Sequence, residues 1–300
     1  MKFLLAFILT FWFSLILQAD VQEVGKANIN SILIFSSQKG LNSGIYHFKK
    51  RGISLEIYHL PIRYDFPSKS AWNYYINGDV SFSRVSVSQH TLQPYESVIA
   101  YGTSIDTYIG GLGGGIRYIF GHGLSASVGG KVLYSRSAVK LGEANVQNTV
   151  KNLFGNDFNT NLTYEFESSL NYIGLLNEYK IYADFEYKLY ETKTNFSLGE
   201  LENFRSESSV MSFSTGFETP SIFNFGTNYL TLEGRVYEYF LNGTVVNTTG
   251  VDRYTTMSGT MYLYVPNQYD YIERFFVEVS SAQSESIEGY NIGIGFSIKF

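Results

Sequence analysis

Cysteine is absent from the 300-residue chain, proline occurs only five times and histidine only four. The first absence excludes disulfides and thiolate-bound metals. The four histidines, His47, His59, His90 and His122, include no pair at metal-ligand spacing, so no metal and no cofactor is expected. Charge is sparse at 16% of residues and the balance is acidic, with a formal net charge of -5, which gives no electrostatic reason to expect a nucleic-acid partner. Long apolar runs are missing too, with one exception at the start. Residues 3–17, "FLLAFILTFWFSLIL", follow Lys2 and precede Gln18-Ala19 and a polar stretch. That layout is a secretory signal peptide over 1–19, slightly short for a spanning helix, and leaves a mature domain over 20–300. No later run is long enough for a spanning helix.

What the chain has in abundance is aromatic residues, 25 Tyr and 24 Phe, set in short segments of strict alternation. In "YKIYADFEYKLY", Ile181, Ala183, Phe185, Tyr187 and Leu189 share one face of a strand, while Lys180, Asp184, Glu186 and Lys188 share the other. Twelve such segments are expected, at 30–37, 53–65, 74–87, 104–119, 125–136, 160–174, 178–192, 207–218, 227–240, 253–264, 271–282 and 289–300. The gaps between them alternate: long at 38–52, 88–103, 137–159, 193–206 and 241–252, shorter at 66–73, 121–124, 175–177, 219–226 and 265–271. Only the last gap, at 283–288, is modest where a long one is due. Short turns on one side, long loops on the other, an even strand number and aromatic strand ends are the attributes of a barrel that crosses lipid with every backbone group paired. Tyr64, Phe66, Tyr74, Tyr118, Phe120, Tyr239, Phe240, Tyr269 and Tyr271 are expected at the two membrane interfaces. The fold class is therefore all-β, a transmembrane antiparallel up-and-down β-barrel of about twelve strands. One long loop carries a helix: in "EANVQNTVKNLF", Val146, Val150, Leu153 and Phe154 form one apolar helical stripe over 143–154. It either packs on the barrel rim or folds inward to narrow the lumen.

The last residues, "YNIGIGFSIKF", place Ile292, Ile294, Phe296, Ile298 and a terminal Phe300 in alternation, with Gly295 before the final outward pair. This resembles the C-terminal assembly signal of Gram-negative outer-membrane proteins. The resemblance implies a bacterial outer-membrane location, a partnership with the barrel-assembly machinery through Gly295, Phe296, Ile298 and Phe300, and contact with outer-membrane lipid and lipopolysaccharide. In mature length, strand number and terminal Phe, the whole chain is similar to the translocator domain of autotransporters. Only about ten residues, 20–30, precede the first expected strand, so the expectation is a solitary translocator-like barrel without a passenger, its short leading segment available to occupy the lumen.

Parity along the strands turns Arg63, Lys131, Lys180, Asp184, Glu186, Lys188, Glu233 and Arg235 inward, a lining of mixed sign suited to a hydrated passage or an ion-paired plug. About twelve strands enclose a lumen that side chains and a small segment can fill, well below the bore of wide porins. The run "GGLGGGIRYIF" at 110–120 continues into another strand, which excludes the strand–loop–helix setting of a phosphate-binding fingerprint. Leu112, Ile116, Tyr118 and Phe120 face lipid, and Gly111, Gly113 and Gly115 form a bare strip above Arg117 on the lumen face, with Gly129 and Lys131 beside it on the next strand. The strip is either a bend in the wall or a groove that receives the 143–154 helix or the leading segment.

No catalytic residue is expected. Ser88 and His90 share a face, but in the reverse of the His-x-Ser order of outer-membrane phospholipases, and Glu165 and Glu167 are read as solvated or paired lumen carboxylates. The expected function is a non-enzymatic outer-membrane barrel with a narrow or plugged lumen. A small-solute channel and, more distantly, a lipid hydrolase are the alternatives.

Overall fold

The computed structural model describes residues 34–35, 40–50, 52–87, 104–140, 159–195, 205–266 and 272–298. Alternation produces strands almost everywhere: β1 (Leu41–Phe48), β2 (Ile53–Asp65), β3 (Trp72–Val87), β4 (Ser104–Gly121), β5 (Leu124–Lys140), β6 (Asn159–Leu176), β7 (Tyr179–Asn195), β8 (Arg205–Glu218), β9 (Phe223–Phe225), β10 (Asn228–Gly243), β11 (Arg253–Tyr264), β12 (Ile272–Gln283) and β13 (Ile287–Ile298). One short helix, α1 (Thr244–Thr249), joins β10 to β11. Twelve of the strands pair antiparallel around a closed sheet, and the seam is the ladder of β13 with β1, from Leu41 opposite Ile294 to Phe48 opposite Ile287. The thirteenth, β9, extends the β8–β10 hairpin by pairing with β10. Closure leaves no sheet edge along most of the wall, the condition for crossing lipid.

The connections sort onto two ends. His122-Gly123, Asn177-Glu178 and Gly226-Thr227 close tight hairpins at one end, here the turn end. Asn177 and Glu178 both take positive φ, 47° and 74°, which matches the right-handed twist of the strands they join. α1, the connection from β1 to β2 and the turn at 284–286 lie at the opposite, loop end.

Outward side chains make an apolar band between two aromatic tiers. Tyr64, Trp72, Tyr74, Tyr118 and Phe296 mark the turn-end tier, and Tyr58, Phe82, Tyr108, Tyr134 and Tyr164 the loop-end tier. Leu112, midway between them on β4, is 78% exposed. Arg84–Asp106, Lys193–Glu191 and Arg205–Glu207 then form an ion-paired fringe at the loop end.

Four expectations are corrected. The first strand is Leu41–Phe48, inside a stretch expected to be a loop; within the segment expected as that strand, Ile34 and Phe35 are helical and buried. "SILIF" is apolar without alternation and cannot present one polar and one apolar face, whereas "LNSGIYHF" can. Tyr239 points into the lumen, 8% exposed, and stacks on Tyr254 instead of facing lipid. The gap at 219–226 contains β9, and the gap at 241–252 contains α1. The signal peptide at 1–19, the helix at 143–154, Ser88, His90, Tyr269, Tyr271 and Phe300 lie outside the described residues.

Candidate functional site: the lumen

The two ends of the interior differ in chemistry. Toward the turn end the inward positions of β2 to β8 are polar. Asp79 on β3 accepts from His59 Nε2 at 2.8 Å and lies 2.5 Å from Lys131 Nζ on β5, which in turn stands 3.6 Å from Glu165 on β6. Four strands are thereby tied by one chain of charges. On the opposite wall Arg235 reaches Asp184 at 2.7 Å and Glu233 at 2.8 Å while its guanidinium stacks 4.2 Å over Tyr182. Glu218, at the end of β8 and 1% exposed, accepts from the Tyr182 hydroxyl at 2.6 Å, the Tyr264 hydroxyl at 2.8 Å and Thr231 at 2.9 Å, with Lys180 3.3 Å away. Buried charges this heavily bonded are satisfied rather than poised to react.

Toward the loop end an apolar cluster fills part of the lumen, beside a buried hydroxyl and amide patch on β4 to β7 in which Thr107 bonds Ser137, Asn161 donates to Ser135 and Thr163 bonds Thr192. Ile34 and Phe35 sit among inward side chains of the wall, the Phe35 ring lying 4.9 Å from Tyr46, 5.5 Å from Phe48 and 5.2 Å from Tyr254. Val245 of α1 and Val251 after it are fully buried in the same cluster with Leu55, Ile57 and Leu241. α1 is tied to β8 by the Val245 amide donating to Ser208 Oγ at 3.1 Å, its own turn is closed by Thr248 and Thr249 hydroxyls donating to the Val245 carbonyl, and Gly250, at φ 71°, ends it.

The glycine strip faces the lumen as parity requires, and wall side chains fill it. The Tyr75 side chain crosses Gly115 on β4 and Gly129 on β5 to donate to Glu167 on β6 at 2.6 Å; a methyl at either glycine would strike its hydroxyl. Gly113 lies against Asn77 and the Gly130 carbonyl, and Gly111 against Leu133. Arg117 shares Asp65 with Arg63, which stacks 3.9 Å over Tyr75. Of the C-terminal residues, Gly295 faces inward against the Phe276 ring and Gly40, Phe296 faces outward at 57% exposure, and Ile298 pairs with Ile272. Glu165 and Glu167 are partnered, by Lys131 and Tyr75 respectively.

Sequence reasoning did not single out Tyr75, His59, Asp79, Glu218, Phe35 or α1. Alternation along β3 was sufficient to turn Tyr75 and Asp79 inward; nothing in the sequence pairs them with partners on other strands. One histidine lies against a serine. His47 Nδ1 lies 2.9 Å from Ser54 Oγ on the outer surface. The carboxylate across the strand, Glu288, is engaged by Lys49 at 3.4 Å and by the Tyr290 hydroxyl at 3.2 Å, so the pair has no orienting acid.

The molecule is thus a closed twelve-stranded barrel with an apolar outer band, a polar turn-end lumen and, toward the loop end, an apolar cluster beside a buried hydroxyl and amide patch. No known family profile matches the sequence, and no curated protein sequence does. Solved structures do match in fold. The translocator domain of the autotransporter NalP from Neisseria meningitidis superposes with a TM-score of 0.59 at 10% identity, covering 96% of this chain and 98% of that one. The β-domain of the Bordetella autotransporter BrkA superposes with a TM-score of 0.57, also at 10% identity, covering 86% of this chain and 96% of that one. The chain has the autotransporter β-domain fold across nearly its whole described length.

Proposed function

We propose that the protein is an integral barrel of the bacterial outer membrane, translocator-like in fold and without enzymatic activity, whose lumen is shut at the loop end. The observation that carries this reading is the apolar core of the upper lumen, where Ile34, Phe35, Val245 and Val251 are each nearly inaccessible to water. Ions cross a hydrated bore, and a dry apolar section of close-packed side chains forbids one. The outer band and its two aromatic tiers support residence in a bilayer. The alternating end of β13 supports delivery to the outer membrane through Gly295, Phe296, Ile298 and Phe300.

Planar-bilayer recording tests the reading. The wild-type barrel is expected to be silent, and a Phe35→Ala/Val245→Ala variant is expected to show discrete openings, because truncation hollows the apolar section above a lumen lined with polar groups. Stepwise conductance from the wild type would instead identify a narrow channel.

A further inference from the structure

Among the described residues the barrel wall is incomplete at one place. β1 meets β13 only as far as Leu41 opposite Ile294, and β2 only as far as Asn42 opposite His59, whereas β2 runs on to Asp65 and β13 to Ile298. β2 and β13 pair with each other nowhere. Two strands that flank a missing one stand roughly 9–10 Å apart, twice the usual spacing of about 4.8 Å. The turn-end half of the wall therefore contains a notch between residues 61–65 and 295–298, crossed by no described strand.

Local structure holds the notch in place. β1 begins just after Gly40, which takes φ 71° and whose carbonyl accepts from Asn42 Nδ2 at 3.1 Å. A Cβ there would meet the Ile294 carbonyl and the lumen-facing Phe276 ring at 2.6 Å, so the strand cannot be prolonged downward through an ordinary residue. On the facing edge, the bond from the Phe66 amide to the Tyr74 carbonyl, 2.9 Å, sets even-numbered backbone groups of β2 toward β3 and odd-numbered ones toward the notch. Pro61 stands at one of those odd positions and leaves no donor stranded. The amides of Arg63 and Asp65 point into the notch. So does that of Phe296, since the Lys49 to Ser286 bond turns even-numbered β13 groups to this side. No described strand pairs with these groups on this side, and in a membrane backbone groups need polar partners.

The two rims differ. Outside, Leu60, Ile62, Ile294 and Phe296 are exposed and apolar, at the level where Tyr64 marks the interface. Inside, Arg63 and Arg117 share the single carboxylate of Asp65, and Arg274 donates to Ser297 Oγ at 3.2 Å beside the opening. Arg117 Nε is buried without a hydrogen-bond partner among the described residues, as is Nδ1 of His59 directly above Pro61.

We propose that the notch is a lateral binding site for the headgroup of an anionic phospholipid from the turn-side leaflet, its phosphate on Arg63 and Arg117 and its acyl chains in the bilayer against Ile62 and Phe296. Guanidinium pairs suit phosphate, and the exposed amides at the rim supply the remaining donors. An inserted polypeptide strand would be a hydrogen bond short at Pro61 and would leave the arginines unanswered. The proposal rests on the reading that the barrel spans a bilayer.

Native mass spectrometry tests it, with full-length barrel released from micelles containing equal phosphatidylglycerol and phosphatidylcholine. The wild type is expected to retain one phosphatidylglycerol with at least about tenfold preference. In Arg63→Gln/Arg117→Gln the preference should fall to within about twofold while the unboiled protein still migrates as a compact band, and Lys193→Gln at the loop end should leave it unchanged. Equal retention of both lipids by the wild type, undiminished preference in the double variant, or a second copy of the chain retained in place of lipid each overturns the site. Should the double variant not fold, the wild-type preference decides alone. Wild-type protein that shows no heat-dependent mobility would overturn the membrane reading, and the lipid site with it.

Discussion

Tyr75 makes the clearest residue-scale case that the wall is packed from within. Its ring spans two strands because Gly115 and Gly129 present no side chain beneath it, and its hydroxyl ends on Glu167, a neighbour 92 residues away in sequence. Gly115→Val should push the ring off its seat, adding overpacking of about 1–3 kcal/mol to the loss of a charge-assisted hydrogen bond of about 1.5–3 kcal/mol. Tyr75→Phe should lose only the second. Urea midpoints of the detergent-folded barrel give the order, and a Gly115→Val no worse than Tyr75→Phe would mean the glycines do not seat the ring. Asp79 is a second test of the same interior. Asp79→Asn leaves the Lys131 ammonium only its longer contact with Glu165, at a cost on the order of 3 kcal/mol, and Lys131→Met added to it should recover part of that loss in a double-mutant cycle. This scale was half legible in the sequence. Period-two alternation sent Arg63, Lys131, Lys180, Asp184, Glu233 and Arg235 inward, and there they are. It says nothing about which inward groups meet, because register across strands is set by the closed sheet.

Most strands were legible for the same reason, and the failures at the element scale share one cause. β1 has an inward face of Asn42, Gly44, Tyr46 and Phe48, which looks like a loop unless Tyr46 is seen lying over Gly44 and Gly289. Its neighbour "SILIF" is more hydrophobic and so attracted the strand assignment, yet Ile34 and Phe35 are apolar because they enter the lumen core. α1 carries only three buried residues, Val245, Thr248 and Thr249, too few for a helical stripe to stand out. Glycines likewise cannot be ranked from sequence. Gly40, at φ 71° and pressed against Ile294 and Phe276, and Gly110, extended with open space at its Cβ, are chemically identical. Gly40→Val should destabilise by more than the roughly 1–2 kcal/mol of the left-handed conformation alone, since the clash adds to it. Gly110→Val should be neutral or stabilising by up to about 1 kcal/mol, having gained strand propensity on the outer face. Comparable losses at the two positions would show that β1 does not begin where Gly40 turns.

At the scale of the whole molecule, the decisive property is which solvent the outer face meets. A soluble barrel and a membrane barrel share pairing, closure and alternation; they differ in what an exposed charge costs as a function of height. Leu112 stands midway between Tyr108 and Tyr118 on β4 and is 78% exposed, whereas Asp252 is exposed beside α1 at the loop end. In water, Leu112→Arg would be nearly free, because an exposed leucine contributes little packing to lose. In a bilayer the same change places a guanidinium at the midplane and should cost about 2–4 kcal/mol. Asp252→Arg, at the level of the ion-paired fringe, should cost about 0–1 kcal/mol. The measurement is reversible unfolding in lipid vesicles, with Leu112→Ala as the reference for lost apolar area. A penalty for arginine that appears at Leu112 in vesicles, is absent at Asp252 and shrinks in detergent would follow the thickness of the apolar band. A penalty independent of height or of lipid would place the barrel in water and remove the physical basis for reading its aromatic tiers as interfaces.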